Sequence, residues 1–421
     1  MIIAASALIF KPSDKASTAY TFSRSSSSYL QSSSSVTPSL TTTKAQTHPL
    51  PQAAERLFVC VLKNYGVVVP DGLCDVLLLT YRHRFPHGTL TRLLIVENFT
   101  NTNPGGSCII TKCGIDMILL QTTDNQALDK LTSADGTKDL QWFEGLNFRH
   151  YGMLNLRIGL HTEAAITRVI NYFKALREKQ NQMNTRGLHI IGVTPYFYTN
   201  TPTIGDDIKE DLRRIVTEVD LDALLIRTTQ TESALFEPEC RLTGPSLWTH
   251  LDNLEKQVTF VQSLEFARTV QLPSDLRILL SFSCTGFRTF YKSLSAHLSH
   301  QDIDIIRHEK CRVSQLANYG EENKCHQSGL MGMESNSVTN YVVHVTLSSR
   351  REDTVDMFDT NVTYKMKMCN AQKLYGFQGG YVLFDFEQID TGNKCGDTNF
   401  THGYADAHYI KTYMKTSLTG C

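Results

Sequence analysis

From residue 57 onward the chain alternates short apolar runs with longer stretches whose apolar residues recur every three or four positions. The apolar runs cover 57–62, 73–80, 153–160, 187–193, 221–226, 276–282 and 381–386. Each has the length of a strand, and several lack the polar alternation of a sheet with one wet face. Strands buried on both faces look like this, as in a parallel sheet or the inner ring of a barrel. Between the runs, Ile166, Val169, Ile170, Phe173 and Leu176 mark one buried stripe of a helix over 163–179. Asp206 or Asp207 caps a second helix carrying Ile208, Leu212, Ile215 and Val219 on one face. Helical stretches are also predicted over 246–270 and 359–374. Repeated strand-then-helix units predict a parallel sheet, and their number favours a closed (β/α)8 TIM barrel with long late loops.

Two regions break the rhythm. Residues 92–150 contain strand-like pieces at 92–97 and 108–121, separated by a turn at Asn103-Pro104-Gly105-Gly106. Residues 285–340 read as long loops or an insertion between late barrel units, and 341–347 alternates like a strand. At the amino terminus, residues 1–10 form an apolar segment too short to span a bilayer and without a positive leader. It is the expected remnant of a signal or anchor. Residues 11–54 are rich in Ser and Thr and predict a disordered linker, either an O-glycosylated stalk or a plain tail. The expected layout is therefore linker, barrel over 55–410 and a tail over 411–421.

Composition narrows the function classes. The net charge of -1 and the absence of a basic block give no nucleic-acid footprint. No apolar run reaches the roughly 18 to 20 residues of a membrane helix. The 11 cysteines and the sequons at Asn98, Asn361 and Asn399 favour the secretory pathway or an extracellular location. An odd cysteine count leaves at least one without an internal partner, and Cys421 is the natural candidate. Cys60 and Cys74 lie in neighbouring short strands, within reach of each other if those strands pair. Cys325 and Cys395 are further disulfide candidates. Cys108 and Cys113 lack the His or Cys partners of a zinc set, which favours a disulfide or a packing role. His83 and His87 flank Pro86, which excludes a helical metal pair and predicts a surface loop. No metal and no cofactor is expected.

The stretch Gly379-Gly380-Tyr381-Val382-Leu383-Phe384-Asp385-Phe386-Glu387, ending in Cys395-Gly396, resembles the last barrel strand of glycoside hydrolase family 18, the chitinases and chitinase-like proteins. Val219-Asp220 before 224–226 is similar to that family's entry to its sixth strand. Leu272-Pro273-Ser274-Asp275 before 276–281 is similar to the approach to its seventh, and Phe358-Asp359-Thr360 to a segment ahead of its last strand. The resemblance spans about residues 56 to 396. It implies a disulfide between Cys60 and Cys74. It also implies an Asp-x-x-Asp-x-Asp-x-Glu motif at the end of the fourth strand, whose Glu protonates the leaving oxygen and whose last Asp holds the attacking acetamido group.

The motif is absent. Aligned on Gly187, the expected positions carry Arg186, His189 and Ile191 in place of the Asp residues and Val193 in place of the acid. His189 is either a general acid or, more commonly for a His in an apolar strand, a satisfied core residue. The family's sixth-strand Tyr falls at Arg227 or Thr228, and its floor Trp falls on Phe384, which either stacks on sugar or packs the core. Arg227 and Phe384 are the substrate-binding candidates. Glu387 with Asp390 and Asp206 with Asp207 are paired carboxylates; the first matches an acidic run of the family and the second a helix cap. No Gly-x-Ser-x-Gly, His-Glu-x-x-His or phosphate-binding loop occurs. Cys284 follows a strand without an identifiable His partner and is expected as a buried thiol. The expected protein is a non-catalytic chitinase-like protein that binds N-acetylglucosamine-containing glycans or a protein partner. The alternatives are an active glycosidase with a relocated acid such as Glu387, and a structural or signalling protein without sugar binding.

Overall fold

Eight parallel strands close into a barrel. In chain order they are β1 (Phe58–Leu62), β2 (Val76–Tyr81), β3 (Lys112–Met117), β4 (Phe148–Ile158), β5 (His189–Pro195), β6 (Ala223–Ile226), β7 (Arg277–Ser283) and, after an insertion, β13 (Gly380–Phe384). The last strand pairs with the first, Phe58 opposite Tyr381 and Cys60 opposite Leu383. The computed structural model describes residues 48–416 apart from 53–54, 64–65, 82–93, 105–107, 118–125, 159–162, 196–205, 230–245, 249–257, 292–312, 318–329, 335–340, 347–352, 390 and 393–403. The expectations for the amino-terminal linker and for His83, His87, Cys325, Cys395, Asp390 and Asn399 lie outside these residues.

Each barrel strand sorts its side chains by parity. Val59, Val61, Val76, Leu78, Leu154, Ile190, Leu225, Leu279 and Val382 fill the barrel interior. Their neighbours, among them Phe58, Cys60, Leu77, Ile191, Val193, Leu224 and Leu280, face the surrounding helices in a larger core. Both sides are dry, which explains the near-continuous apolar runs. The exception is β3, Lys-Cys-Gly-Ile-Asp-Met. Gly114 stands where a Cβ would meet the His150 carbonyl oxygen at 2.1 Å. This strand carries no continuous apolar run, so its place in the count is not legible from pattern alone.

That omission changes the count. The strand over 187–193, aligned from sequence with the fourth strand of the resembling family, is the fifth strand of this barrel; the fourth is β4. Ile191 and Val193 point outward into the helix layer. The motif positions placed on β5 therefore do not line the barrel.

The helices are α1 (Leu94–Thr102), α2 (Gln126–Thr132), α3 (Ala134–Gly145), α4 (Glu163–Gln182), α5 (Asp206–Glu218), α6 (Phe260–Ala267), α7 (Asn361–Tyr375) and α8 (Ala405–Lys415). The stripes predicted for α4 and α5 are buried, Ile166 through Leu176 on one and Ile208, Leu212 and Ile215 on the other. Within the helix predicted over 246–270, Ser246 and Leu247 lie in β-bridges and α6 starts at Phe260. Thr259 and Gln262 form a capping box there, each side chain accepting from the other's backbone N–H at 3.1 and 3.2 Å. The amino-terminal approach packs earlier than residue 55, with Leu50 buried and the His48 N–H on the Arg268 carbonyl at 2.8 Å. The last helix runs past residue 410 to Lys415.

The irregular region after β7 holds an antiparallel sheet. Strands β8 (Gly286–Tyr291), β9 (Val313–Ala317), β10 (Leu330–Glu334), β11 (Tyr341–Thr346) and β12 (Asp353–Phe358) form it in the order β10-β11-β12-β8-β9. The expected insertion between late barrel units and the strand over 341–347 are present, and the described parts of the insertion are strands. Its segments are short and mixed in polarity, and their pairing comes from neighbours rather than from local propensity.

One buried charge cluster joins this sheet's exit to the barrel. Lys367 on α7 pairs with Asp359, and both side chains are 0% exposed. Lys367 Nζ also donates to the Ser246 carbonyl at 2.7 Å and to Ser246 Oγ at 3.0 Å. Thr363 Oγ1 donates to Asp359 at 2.9 Å, and Ser246 Oγ donates to its other oxygen at 2.5 Å. Every oxygen and proton of the pair therefore has a partner. Disulfides Cys60–Cys74 and Cys108–Cys113 are formed, and Cys284 is a buried thiol.

A second polar cluster seats α4 under the barrel. His189 Nε2 meets Gln180 Oε1 at 2.8 Å, and Gln180 Nε2 donates to the Arg149 carbonyl at 2.9 Å. That amide orientation assigns the proton to Nε2. His189 Nδ1 is buried without a hydrogen-bond partner. Arg177 bridges the Gly187 carbonyl and the Asp222 carboxylate at 2.8 and 2.7 Å. His189 is thus a core residue of the helix layer. Burial, with Arg177 adding to it, lowers its pKa to about 3; burial and Lys112 lower that of His150 to about 4.

Each cluster makes a measurable difference to stability. Lys367→Met leaves the Asp359 carboxylate buried without its cation and should cost about 3–5 kcal/mol in urea unfolding. Adding Asp359→Asn should recover part of that loss, and a single-variant cost near zero would contradict the role of the pair. The histidines act through pH. Their folded pKa values lie below the unfolded value of about 6.5, so the unfolded chain takes up protons first as pH falls. Stability should therefore decline from about pH 6.5 downward. Equal urea midpoints at pH 7 and pH 5 would contradict it.

Candidate functional site at the barrel mouth

At the C-terminal ends of the strands, polar side chains replace the aliphatic interior. They are Lys63 after β1, Thr80 on β2, Asp116 on β3, Asn155 and Arg157 on β4, Arg227 after β6, Ser283 on β7 and Asp385 beyond β13, beside the aromatic ring of Phe384. Active sites of parallel barrels occupy this rim because the loops there converge from every strand.

A slip in β4 shapes the mouth. Met153 pairs with Ile191 and Leu156 with Val193, so β4 carries one more residue than β5 over this span. An extra residue reverses the parity of every later position in its strand. Leu154 still fills the interior, yet Leu156 and Ile158 face the helices. Asn155 and Arg157 are consequently turned to the mouth. Beside the slip, Asp116 Oδ1 accepts the Leu154 N–H at 2.9 Å and Oδ2 accepts from Thr80 Oγ1 at 3.1 Å. Burial raises the Asp116 pKa; these hydrogen bonds and the charges of Arg227 and Lys63 oppose the rise without cancelling it.

The opposite wall is built on Asp385. Its backbone is left-handed, with φ 56° and ψ 40°, a conformation uncommon outside glycine. Its carboxylate pairs with Lys63 Nζ and accepts from Ser283 Oγ at 2.6 Å. Burial works against the charge, but Lys63 and Ser283 together hold the Asp385 carboxyl below its ordinary range. Glu387 accepts the Lys63 N–H at 3.0 Å. Burial raises its pKa, and the neighbouring Asp385 charge raises it further.

Arg227 lies across the floor. Its guanidinium carbon sits 4.3 Å from the centroid of the Phe384 ring. Nε donates to Thr229 Oγ1 at 3.1 Å and Nη1 to Asn155 Oδ1 at 3.3 Å. Thr228 and Thr229 are in turn fastened to Ser281 of β7, the Thr228 hydroxyl donating to the Ser281 carbonyl at 2.6 Å. Of the residues expected from sequence, the fold brings Arg227 and Phe384 into contact. Arg186 precedes β5 at the other end of the barrel, and His189, Ile191 and Val193 face outward. Asn98 is exposed on α1 and Asn361 half-buried at the start of α7.

Sequence reasoning does not single out Lys63, Asp116, Ser283, Asn155 or Arg157. A lone charge directly after an apolar run is the available signal for Lys63, and an acid inside a strand for Asp116. Nothing local marks the β4 slip that aims Asn155 and Arg157. Among the described residues no group of three or more His, Cys, Asp or Glu side chains is placed to hold a metal ion.

No protein-family model matches the chain, and no curated protein sequence does. Solved structures do match in fold. The C-terminal domain of a putative chitinase from Desulfitobacterium hafniense superposes with a TM-score of 0.55 at 10% identity, over 86% of this chain and 99% of that one. A glycoside hydrolase family 18 N-acetylglucosaminidase from Paenibacillus barengoltzii gives 0.52 at 9% identity, over 85% and 100%. A chitinase from Chromobacterium violaceum gives 0.50 at 9% identity, over 86% and 100%. The closed eight-stranded barrel and these likenesses give the chain a fold similar to that of these chitinases and of the family 18 N-acetylglucosaminidase.

Proposed function

We propose that this protein binds N-acetylglucosamine-containing glycans at its barrel mouth without hydrolysing them. The observation that carries this reading is the composition of β4. From Phe148 to Ile158 the fourth strand holds neither Asp nor Glu, and the side chains it turns to the mouth are Asn155 and Arg157. The chemistry of the resembling family needs a proton donor and an acetamido-orienting acid at the end of that strand. An amide and a guanidinium supply neither at neutral pH. Among the described residues, Asp116 is engaged by Leu154 and Thr80, Asp385 by Lys63 and Ser283, and Glu387 by the Lys63 N–H.

Binding is supported by neighbouring groups. The mouth offers amide, hydroxyl and ammonium donors of the kind sugar hydroxyls and acetamido groups require, with the Phe384 ring beneath Arg227. An extracellular setting is supported by the disulfides Cys60–Cys74 and Cys108–Cys113 and by the exposed sequon asparagine at Asn98. A second reading rests on Glu387, a half-buried carboxylate at the mouth that accepts the Lys63 N–H at 3.0 Å and whose pKa burial raises. In that reading hydrolysis persists with a relocated donor.

Calorimetric titration with a chito-oligosaccharide tests both. Saturable heat without a sustained signal is expected. Continuing heat after saturation, with release of shorter sugars, would remove the non-hydrolytic reading. In that event Glu387→Gln decides the second one: turnover lost by about 10²-fold or more supports the relocated acid, and unchanged turnover ends it.

A further inference from the structure

We infer that Arg227 is a built-in plug whose guanidinium covers the face of the Phe384 ring on which a sugar would stack. The inference rests on the glycan-binding reading and deepens it, by naming the residue that limits access to the site. Phe384 keeps only 3% of its surface exposed, and Arg227 itself 7%. A guanidinium carbon 4.3 Å from the ring centroid fills the layer that a stacked pyranose would occupy. Plug and sugar therefore exclude each other at that ring.

The plug is anchored rather than draped. Thr229 holds Nε at 3.1 Å, and Thr229 Oγ1 lies 3.0 Å from Ser281 Oγ, which fixes it to β7. Asn155 holds Nη1 at 3.3 Å and owes its orientation to the β4 slip. Asn155 is the weaker anchor, because it is exposed to solvent and its bond is longer. Moving the guanidinium off the ring would uncover an aromatic floor rimmed by the Asn155 amide and the Thr229 hydroxyl. The site so opened fits two probes of different chemistry. One is a pyranose of a chito-oligosaccharide, stacking on Phe384. The other is free guanidinium, which replaces the lost group atom for atom.

The test compares wild type, Arg227→Ala and Asn155→Ala by calorimetry with tetra-N-acetylchitotetraose, and by thermal melting with millimolar guanidinium chloride. Arg227→Ala should bind the sugar about tenfold more tightly than wild type, the size of one uncovered stacking contact. Asn155→Ala should change affinity in the same direction by less. Equal or weaker binding by Arg227→Ala, with saturable binding by wild type, overturns the plug and leaves the glycan reading standing. If neither protein binds the sugar, the glycan reading fails and guanidinium decides the plug. A rise in melting temperature in Arg227→Ala and not in wild type upholds it; no rise overturns it. Should Arg227→Ala fail to fold, Asn155→Ala carries the sugar comparison, and an affinity no higher than wild type overturns the proposal.

Discussion

The pairing of the first barrel strand with the last is the constraint on which the other features depend. It joins Phe58–Leu62 to Gly380–Phe384 across more than three hundred residues of chain. The approach is close enough that a Cβ on Gly380 would lie 2.1 Å from the Leu57 carbonyl oxygen, so glycine is required at the entry of β13. Without that seam the sheet would have two open edges, and the residues at the ends of β1 and β13 would not meet. With it, Lys63 reaches Asp385 and its N–H reaches Glu387. The seam is therefore closed twice, by backbone hydrogen bonds along the strands and by charge at the rim.

The rim shows how a barrel of this type is given its chemistry by small departures from regularity. One extra residue in β4 turns Asn155 and Arg157 toward the mouth and leaves the Leu154 N–H to the Asp116 carboxylate. One left-handed residue, Asp385, turns the chain after β13 so that its carboxylate lies between Lys63 and Ser283. Both carboxylates are thereby occupied with holding the scaffold. The cations opposite them compensate charge in a region with little water, where an isolated ion would be costly.

Much of the architecture is legible in the chain because burial on both faces leaves a mark that needs no tertiary context. The runs at 57–62, 276–282 and 381–386, and the stripes of α4 and α5, all appear where hydrophobicity places them. The elements that escape are those whose residues answer to distant partners. β3 contains Gly114 and Asp116 because His150 and Leu154 of β4 lie against them. The inserted sheet is built from short mixed segments that stabilise one another. The start of α6 is set by the Thr259 capping box, and Ser246 and Leu247 before it are held in β-bridges to Thr229 and Thr259.

The sequence by itself determined the fold class and the apolar runs that form the seam, because burial and strand length constrain these locally. The Cys60–Cys74 bridge and the pair Arg227 and Phe384 were expectations implied by the family resemblance. Only the tertiary structure decided which strand is the fourth, which side chains face the mouth and what covers Phe384. The reason is parity. In a strand, one residue more or less reverses inside and outside, and such a slip is fixed by hydrogen bonds to neighbouring strands that the local sequence does not contain.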